Sequence, residues 1–485
     1  MDWAKRLTEK YEITGTELKN KFFILLLCCF CVSVVNAQKW NWWPLMIDGS
    51  VECADTISYH TQLSAVASSG EAAPFLFRTN HRANISSSPY SANVSAGIKK
   101  MPTCHTRWWD YDFAVQLTGR VGTHDLTAYF QQLYAHTRLW VVDLTAGIAP
   151  LTCGAQSQFL TSGSLLFSEN AHAIPHVSIG INNYVPFPGL FGYVELKGGL
   201  VHGWLNDQSA VKKVKLHYKF AGLRLGGASP VSLAYEIHHA AQWGGYNATL
   251  NYGNTFADWW NVVLFRSGGV SLSDQLNAQG NHIGFQEFTL AFKHRAWHVK
   301  AYWQAIFEDM SARFIGFGTN AADGLWGLNI QQTQWPFIQE LTYEFLNTTS
   351  QSGPIHDKDG LVFAGRDSYY NNSAYPQGWT YYSSIIGNPY LQTDNNRVRA
   401  HFMGIKGNVY GFHYRMMASY VDNYGSYQRP SRSHNTALLL EVNKHVQKAW
   451  GLDFGVALSA DFGTQYGNVF GAYLKIAKSG IITTY

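Results

Sequence analysis

Charge is scarce in this sequence: Asp, Glu, Lys and Arg make up 14% of it, where a soluble globular domain carries about 25%. That deficit excludes a chain whose whole outer surface faces water. The charges present nearly balance, 36 basic against 32 acidic residues, so no basic field marks a nucleic-acid partner. Long apolar runs are missing as well. Beyond residue 37 none approaches the roughly 20 residues that a membrane-spanning helix needs, which excludes a helical anchor in the body of the chain. Cysteine is sparse: Cys28, Cys29 and Cys31 fall in one early apolar run, and only Cys53, Cys104 and Cys153 follow it. Three thiols allow one disulfide and leave one over, their spacing fits no metal site, and the three possible pairings stay open.

The early run, Phe22 to Val35, is preceded by Lys19 and Lys21 and followed by Asn36-Ala37. This is the layout of a secretory signal peptide, with Val35 and Ala37 as the small residues before the cleavage site. The expected organisation is a cleaved signal with a long leader over residues 1–37 and a mature chain over residues 38–485. Export puts the remaining cysteines in an oxidising compartment.

Aromatic residues are abundant, 15% of the chain, while mean hydropathy stays near neutral at −0.15. An outer-membrane β-barrel averages in this way, because an apolar outer band with aromatic girdles is offset by a polar interior. Its strands alternate faces residue by residue. Trp109, Tyr111, Phe113, Val115 and Leu117 interleave with Asp110, Asp112, Ala114 and Gln116. Val214, Leu216, Tyr218 and Phe220 alternate with Lys215, His217 and Lys219. A lysine facing lipid at the midplane costs roughly 2 to 4 kcal/mol, so the Lys215 face is predicted to line the lumen. Val398, Ala400 and Phe402 against Arg397, Arg399 and His401, and Phe470, Ala472, Leu474 and Ile476 against Gly471, Tyr473 and Lys475, repeat the pattern. Turn-rich breaks such as Gly226-Gly227 and the polar stretch from Asn347 to Gly360 separate these runs. The length accommodates well over a dozen strands, an all-β, large antiparallel transmembrane barrel. At the C-terminus Tyr485 is a terminal aromatic, but Gly480, Thr483 and Thr484 weaken the alternation before it.

No catalytic constellation stands out. His172 and His176 have Pro175 between them, which breaks the helix that would let both hold one zinc. His238 and His239 are adjacent and point to opposite faces of a strand. Ser168, Glu169 and His172 are hydrolase residue types in local proximity, which is not a triad. No enzyme, metal or cofactor is expected.

Aromatic and amide side chains concentrate in the breaks. Trp243 and Tyr246 flank a Gly-Gly pair; Tyr369, Tyr370, Asn371 and Asn372 are followed by Tyr375, Trp379, Tyr381 and Tyr382. Aromatic faces stack on sugar C–H surfaces and amides bind hydroxyls, so Trp243, Tyr246, Asp309, Tyr369, Tyr370, Asn371, Asn372, Tyr375, Trp379 and Tyr381 are the candidate polysaccharide-binding residues.

Short segments along most of the mature chain resemble the capsule assembly Wzi family of outer-membrane proteins. They are Ser68-Ser69-Gly70-Glu71 with Ala73-Pro74-Phe75, Ser162-Gly163-Ser164-Leu165-Leu166 with Asn170-Ala171 and Ile174-Pro175, and Leu216-His217-Tyr218-Lys219. Gln242-Trp243-Gly244-Gly245, Phe307-Glu308-Asp309, Gln351-Ser352-Gly353, Tyr370-Asn371-Asn372, Gly378-Trp379-Thr380 and Ile386-Gly387-Asn388-Pro389 follow in order. His172 and Ala221 depart from the pattern. The resemblance implies a barrel of about eighteen strands whose lumen is occluded by loops and a small periplasmic helical bundle. It also implies a monomer, held in outer-membrane lipid, that binds capsular or surface polysaccharide as a lectin-like capsule-assembly protein. Barrel size alone suggests the alternative, a general diffusion porin.

Overall fold

The computed structural model describes residues 56–484, apart from 104–107, 124–125, 208, 271–274, 276–277, 309–321, 354–355 and 359–360. The expected signal peptide, Cys53, Cys104 and the candidate Asp309 lie outside the described residues.

Eighteen strands form one closed antiparallel sheet. The first nine are β1 (Thr56–Ser68), β2 (Tyr90–Lys100), β3 (Trp109–Gly122), β4 (Leu126–Leu139), β5 (Val142–Ile148), β6 (Pro175–Pro186), β7 (Val194–Leu205), β8 (Val214–Leu225) and β9 (Val231–Trp243). The others are β10 (Asn281–His294), β11 (Trp297–Glu308), β12 (Gly324–Gln332), β13 (Glu340–Asn347), β18 (Val398–Val409), β19 (Phe412–Gly425), β20 (Pro430–Val446), β21 (Leu452–Gly463) and β22 (Val469–Thr484). Two small hairpins, β14 (His356–Lys358) with β15 (Leu361–Ala364) and β16 (Thr380–Tyr381) with β17 (Ser384–Ile385), lie in the connection from β13 to β18. Each barrel strand pairs with its neighbour along the chain, and β22 closes on β1, with Leu63 opposite Ile476 and Ser64 opposite Lys475. The weak alternation at the C-terminus appears as a bulge: the pairing jumps from Ile57 with Thr483 to Ser58 with Ile481, leaving Ile482 unpaired and exposed.

The connections are unequal. Those that share an end with the start of β1 and the end of β22 include very short ones, as at 140–141, 295–296 and 410–411. At the other end lie the longest, at 69–89, 149–174, 244–280 and 348–397, beside short ones such as 123–125 and 426–429. Outer-membrane barrels have short periplasmic turns and long extracellular loops, so the long-connection end faces outward from the cell. Among the described residues there are two helices, α1 (Phe75–Arg78) and α2 (Phe256–Val263), both in long connections. No periplasmic helical bundle is found among them.

An eighteen-stranded barrel is wider than its own inward side chains can fill. Here the connections 149–174 and 348–397 fold into it. Leu160, Leu165, Leu166 and Phe167 of the first pack with Tyr369, Tyr370, Trp379, Ile386 and Leu391 of the second, and all are buried. Trp379 Nε1 donates to the Leu166 carbonyl at 2.9 Å, the Tyr370 hydroxyl to the Leu165 carbonyl at 2.6 Å, and Asn388 Nδ2 to the Gly163 carbonyl at 2.6 Å. Gly378 makes the tight return possible: its φ is 67°, and a Cβ there would sit 2.0 Å from the Tyr370 carbonyl oxygen. The wall holds this insert through buried polar groups. The Glu344 carboxylate on β13 accepts from the Ser162 N–H, the Thr161 hydroxyl at 2.9 Å and the Tyr302 hydroxyl at 2.5 Å. The Gln242 amide donates to the Gly378 carbonyl at 3.0 Å, and the Tyr369 hydroxyl to Asp323 at 2.9 Å.

The insert decides which side of each strand faces inward. Trp109, Tyr111, Val115 and Leu117 are exposed on the outer wall, as are Phe470, Leu474 and Ile476, in agreement with their alternation. The prediction for β8 is reversed. Leu216 and Tyr218 are buried in the inner core with Phe167, on the face that β8 shares with the insert. Lys215, His217 and Lys219 share the outer face with the exposed Leu223 and Leu225. Likewise Val398, Ala400 and Phe402 pack inward, and Arg399 and His401 are exposed outside. The physical reason is a balance of magnitudes. A lysine on the lipid face costs roughly 2 to 4 kcal/mol at the midplane but only about 0 to 1 near the interface, whereas burying a leucine or phenylalanine stabilises by about 1.5 to 3 kcal/mol. Near the outer rim, packing against an apolar insert wins.

Glu344→Leu should strip the acceptor from three buried donors and destabilise the barrel by on the order of 3 kcal/mol, while Glu344→Gln, which keeps an oxygen, should lose less. The temperature at which the folded band disappears on semi-native gel electrophoresis measures the difference, and equal loss in both variants would contradict the assignment.

Candidate functional site

The sequence-predicted residues divide into three groups. Tyr369, Tyr370, Tyr375, Trp379 and Tyr381 are brought together inside the barrel as the core of the insert, each no more than 4% exposed. Asn371 Nδ2 donates to Ser368 Oγ and to the Thr393 carbonyl, and Asn372 Oδ1 accepts from the Ala374 N–H, so both amides brace turns. Trp243 and Tyr246 lie apart from these: Trp243 is buried on the outer face of β9 with the Lys215 ammonium 4.4 Å from its ring centre, and Tyr246 bridges to Lys212 and Asn251 in the 244–280 connection.

Ser168, Glu169, His238 and His239 each have a partner within the fold. The Ser168 hydroxyl donates to the Gly387 carbonyl at 2.5 Å, and Glu169 pairs with Arg82 at 2.5 Å. His238 accepts from or donates to Tyr218 and Glu236 on the inner face, while His239 meets His282 on the outer face. Among the described residues no cluster of His, Cys, Asp and Glu has the geometry to hold a metal ion.

A cavity of about 660 Å³ opens among the long connections, lined by Arg78, Arg120, His172, Tyr382, Gln392 and Tyr466 together with the small polar run Ser86–Ser88. Several elements converge on it. Arg78 ends α1, and its guanidinium stands 5.1 Å from the Tyr466 ring centre, with Phe75 stacked on the same ring at 5.8 Å. Arg120 projects from the inner face near the top of β3, its Nη1 donating to the Ala83 carbonyl at 2.6 Å. His172 sits edge-on to Tyr129 at 4.4 Å and to Tyr382 at 5.6 Å. Burial, assisted by the Arg120 charge, lowers the His172 pKa to about 4. Its imidazole is therefore neutral at neutral pH, and the two arginines are the fixed cations of the cavity beside the exposed Glu71.

Tyr382 stands at the edge of this cavity on a strained turn. It and Ser383 form the two-residue turn between β16 and β17, with φ of 47° and 61°. A turn with both central residues left-handed matches strand twist but favours Asn-Gly; for other L-residues each such conformation costs about 1 to 2 kcal/mol. The turn is held from outside by the Asp207 carboxylate, which accepts from the Tyr382 N–H at 3.1 Å, and from below by Asn170, whose amide donates to the Ile385 carbonyl at 3.0 Å. Its product is a large aromatic ring, 52% exposed, at the edge of a polar cavity. Neighbouring Tyr381, the tyrosine on the candidate list, turns inward and is buried. Sequence reasoning missed Arg78, Arg120, Gln392 and Tyr466 because they come from four separate connections or strands. The one local signal was Tyr382 itself, at the tip of a turn between residues able to form strands.

The chain was compared with known proteins. The family model for capsule assembly protein Wzi matches residues 51–462. No curated protein matches the sequence. Among solved structures the chain is similar to Wzi of Escherichia coli, described as an outer membrane protein involved in group 1 capsule assembly and a carbohydrate-binding β-barrel. The two share 14% identity with a TM-score of 0.58, over 86% of this chain and 84% of that one. Pseudomonas aeruginosa OccK5 (OpdH) also matches, at 9% identity and a TM-score of 0.48, over 88% of this chain and 98% of that one. With its closed eighteen-stranded barrel and a match that spans most of its length, the chain belongs to the capsule assembly protein Wzi family and is a protein of the outer membrane.

Proposed function

We propose that this protein is a non-enzymatic, lectin-like component of capsule or exopolysaccharide assembly that holds surface polysaccharide at the cavity bounded by Tyr382, Arg78 and Arg120. The exposed, strained Tyr382 carries this reading. A residue kept in an unfavourable backbone conformation, when its neighbour Tyr381 is packed away, presents a flat face where saccharide C–H groups can stack. Arg78 and Arg120 add charge-assisted donors for hydroxyl or carboxylate oxygens, and Gln392 and the serines of 86–88 add neutral ones. The description of Escherichia coli Wzi as carbohydrate-binding supports the same class of ligand. The protein acts as a monomer embedded in outer-membrane lipid and needs no cofactor. The buried insert argues against the diffusion-porin alternative, since the packed residues of 149–174 and 348–397 stand where a channel would run.

Purified protein should bind bacterial surface polysaccharide on a glycan array, and Tyr382→Ala should weaken binding by roughly 3- to 10-fold, the equivalent of about 1 kcal/mol. Tyr410→Ala, an exposed tyrosine at the short-turn end, should bind like the unaltered protein; no binding by any of the three, or equal binding by all, defeats the proposal.

Recording across planar bilayers should give no large steady conductance. A stable open channel would favour the porin reading instead.

The pH dependence follows from His172. Its folded value of about 4 lies below the ordinary 6.5, so the unfolded chain binds the extra proton first. Its contribution to stability is complete above 6.5 and is lost as pH falls toward 4. His172→Gln should remove that part of the acid sensitivity in unfolding titrations, and unchanged sensitivity would show that His172 is not the group responsible.

A further inference from the structure

The outer wall of the barrel changes character near the rim of β7 to β10. Lower down, the outward residues are apolar and exposed, among them Leu223, Leu225, Leu233, Leu290 and Phe292. Higher on the same faces stand His202, Lys215, His217, Lys219, His239 and His282, as the unbroken registers of β7–β8, β8–β9 and β9–β10 require. Such a wall cannot meet lipid directly without cost.

The 244–280 connection covers it. The chain leaves β9 through Gly244 and Gly245, with φ of 65° and 84°, where a Cβ would come within 2.7 Å of the Gly253 carbonyl oxygen and 2.6 Å of the Lys212 one. Only glycine allows this reversal over the rim. The segment then runs along the outside of the wall. Lys219 Nζ donates to the Val263 carbonyl at the end of α2, and His239 Nε2 meets His282 Nδ1 at 2.8 Å. The other His282 nitrogen reaches the Gln279 carbonyl at 2.9 Å, and the Phe265 ring covers both imidazoles at 4.6 and 4.5 Å. Val262 and Trp259 pack on Ala241 and Trp243.

α2 is thus fixed by one face. A capping box starts it, with the Thr255 side chain accepting from the Asp258 N–H and the Asp258 carboxylate from the Thr255 N–H. Its opposite face carries Phe256, Trp260 and, at the C-cap, Leu264, spaced four residues apart in one stripe and 77%, 45% and 40% exposed. Phe256 stacks with both Trp259 and Trp260.

We propose that this stripe is an interfacial membrane anchor: α2 lies along the barrel in the outer leaflet, with Phe256, Trp260 and Leu264 in contact with lipid. Two observations select lipid as the occupant. The stripe continues the apolar band formed below it by Leu233 and Leu290, so the surface facing the bilayer stays apolar across the polar patch. The connection is held to the patch beneath by polar contacts of its own, Lys219 to the Val263 carbonyl and His282 to the Gln279 carbonyl. An aromatic residue with an N–H, such as Trp260, suits the depth at which headgroups begin, and a short amphipathic helix lying in the interface plane buries such a face. The connection therefore replaces the wall as the lipid-facing surface over this quarter of the barrel and fixes how deeply the rim can sink.

Site-directed spin labelling tests this in protein purified from outer membranes and reconstituted in phosphatidylethanolamine–phosphatidylglycerol vesicles, with Cys53, Cys104 and Cys153 replaced by alanine. Nitroxides at Trp260→Cys and Leu264→Cys should collide with oxygen as readily as one at Leu290→Cys, and several-fold less with a water-soluble nickel chelate than one at Tyr410→Cys. Nickel-chelate accessibility matching Tyr410→Cys would overturn the proposal, as would spin–spin broadening from a second copy or inaccessibility to both reagents. Should the cysteine-free chain fail to fold, quenching by bromine-labelled lipid is read in the unaltered protein. Trp260→Phe should then remove part of the lipid-quenchable fluorescence, and an unchanged quenchable fraction would overturn the proposal.

Discussion

Closure of the sheet is the constraint on which the rest of this structure depends. In hydrocarbon no water is present to satisfy a strand edge, and each unpaired backbone group costs several kcal/mol. The pairing of β1 with β22 removes the only edges that a sheet built of sequential neighbours would leave. It also explains the tolerance of irregularity at the C-terminus. One bulged residue at Ile482 is accepted so that Leu63 and Ser64 stay in register with Ile476 and Lys475.

Closing eighteen strands creates a second requirement, an interior to be filled or flooded. This chain fills it with its own connections, chiefly 149–174 and 348–397 with Phe75 to Phe77 of 69–89 beside them, and the insert is apolar at its centre, around Phe167, Tyr370 and Trp379. The strands that border it turn their apolar faces inward, which sends Lys215, Lys219 and Arg399 to the outside near the rim. The outside must then be covered, and the 244–280 connection does so beside β8 and β9. Filling the lumen and covering the wall are linked consequences of one alternating pattern that can point only one way on each strand.

The position of the candidate site follows from the same arrangement. With the insert packed below, the long-connection end offers a polar cavity among the connections. Its exposed aromatic, Tyr382, comes from a turn at the tip of the insert, Tyr466 comes from the β21–β22 connection, and the rings at the centre of the insert pack together. Tyr381 and Tyr382 make the division visible at adjacent positions: a two-residue turn sends one ring into the core and the other to the cavity.

The barrel, its antiparallel order and its membrane setting were legible in the amino-acid sequence, because low charge, high aromatic content and a two-residue period are properties of each segment alone. The outward run Trp109 to Leu117 and the opposed His238 and His239 needed nothing more than that period. The period does not say which face is which. For β8 and β18 the answer came from side chains far away along the chain, about fifty residues for Phe167 beside Tyr218 and over two hundred for Leu160 beside Gly404, and a lysine next to a membrane was a poor guide once a helix and a carbonyl lay over it. Nor could local aromatic density separate Trp379, sealed by Leu166, from Tyr382, held open by Asp207. The sequence by itself determined that strands would alternate and close; only the tertiary structure decided what filled the barrel, because burial is set by the partner on the other side of the contact and not by the residue that makes it.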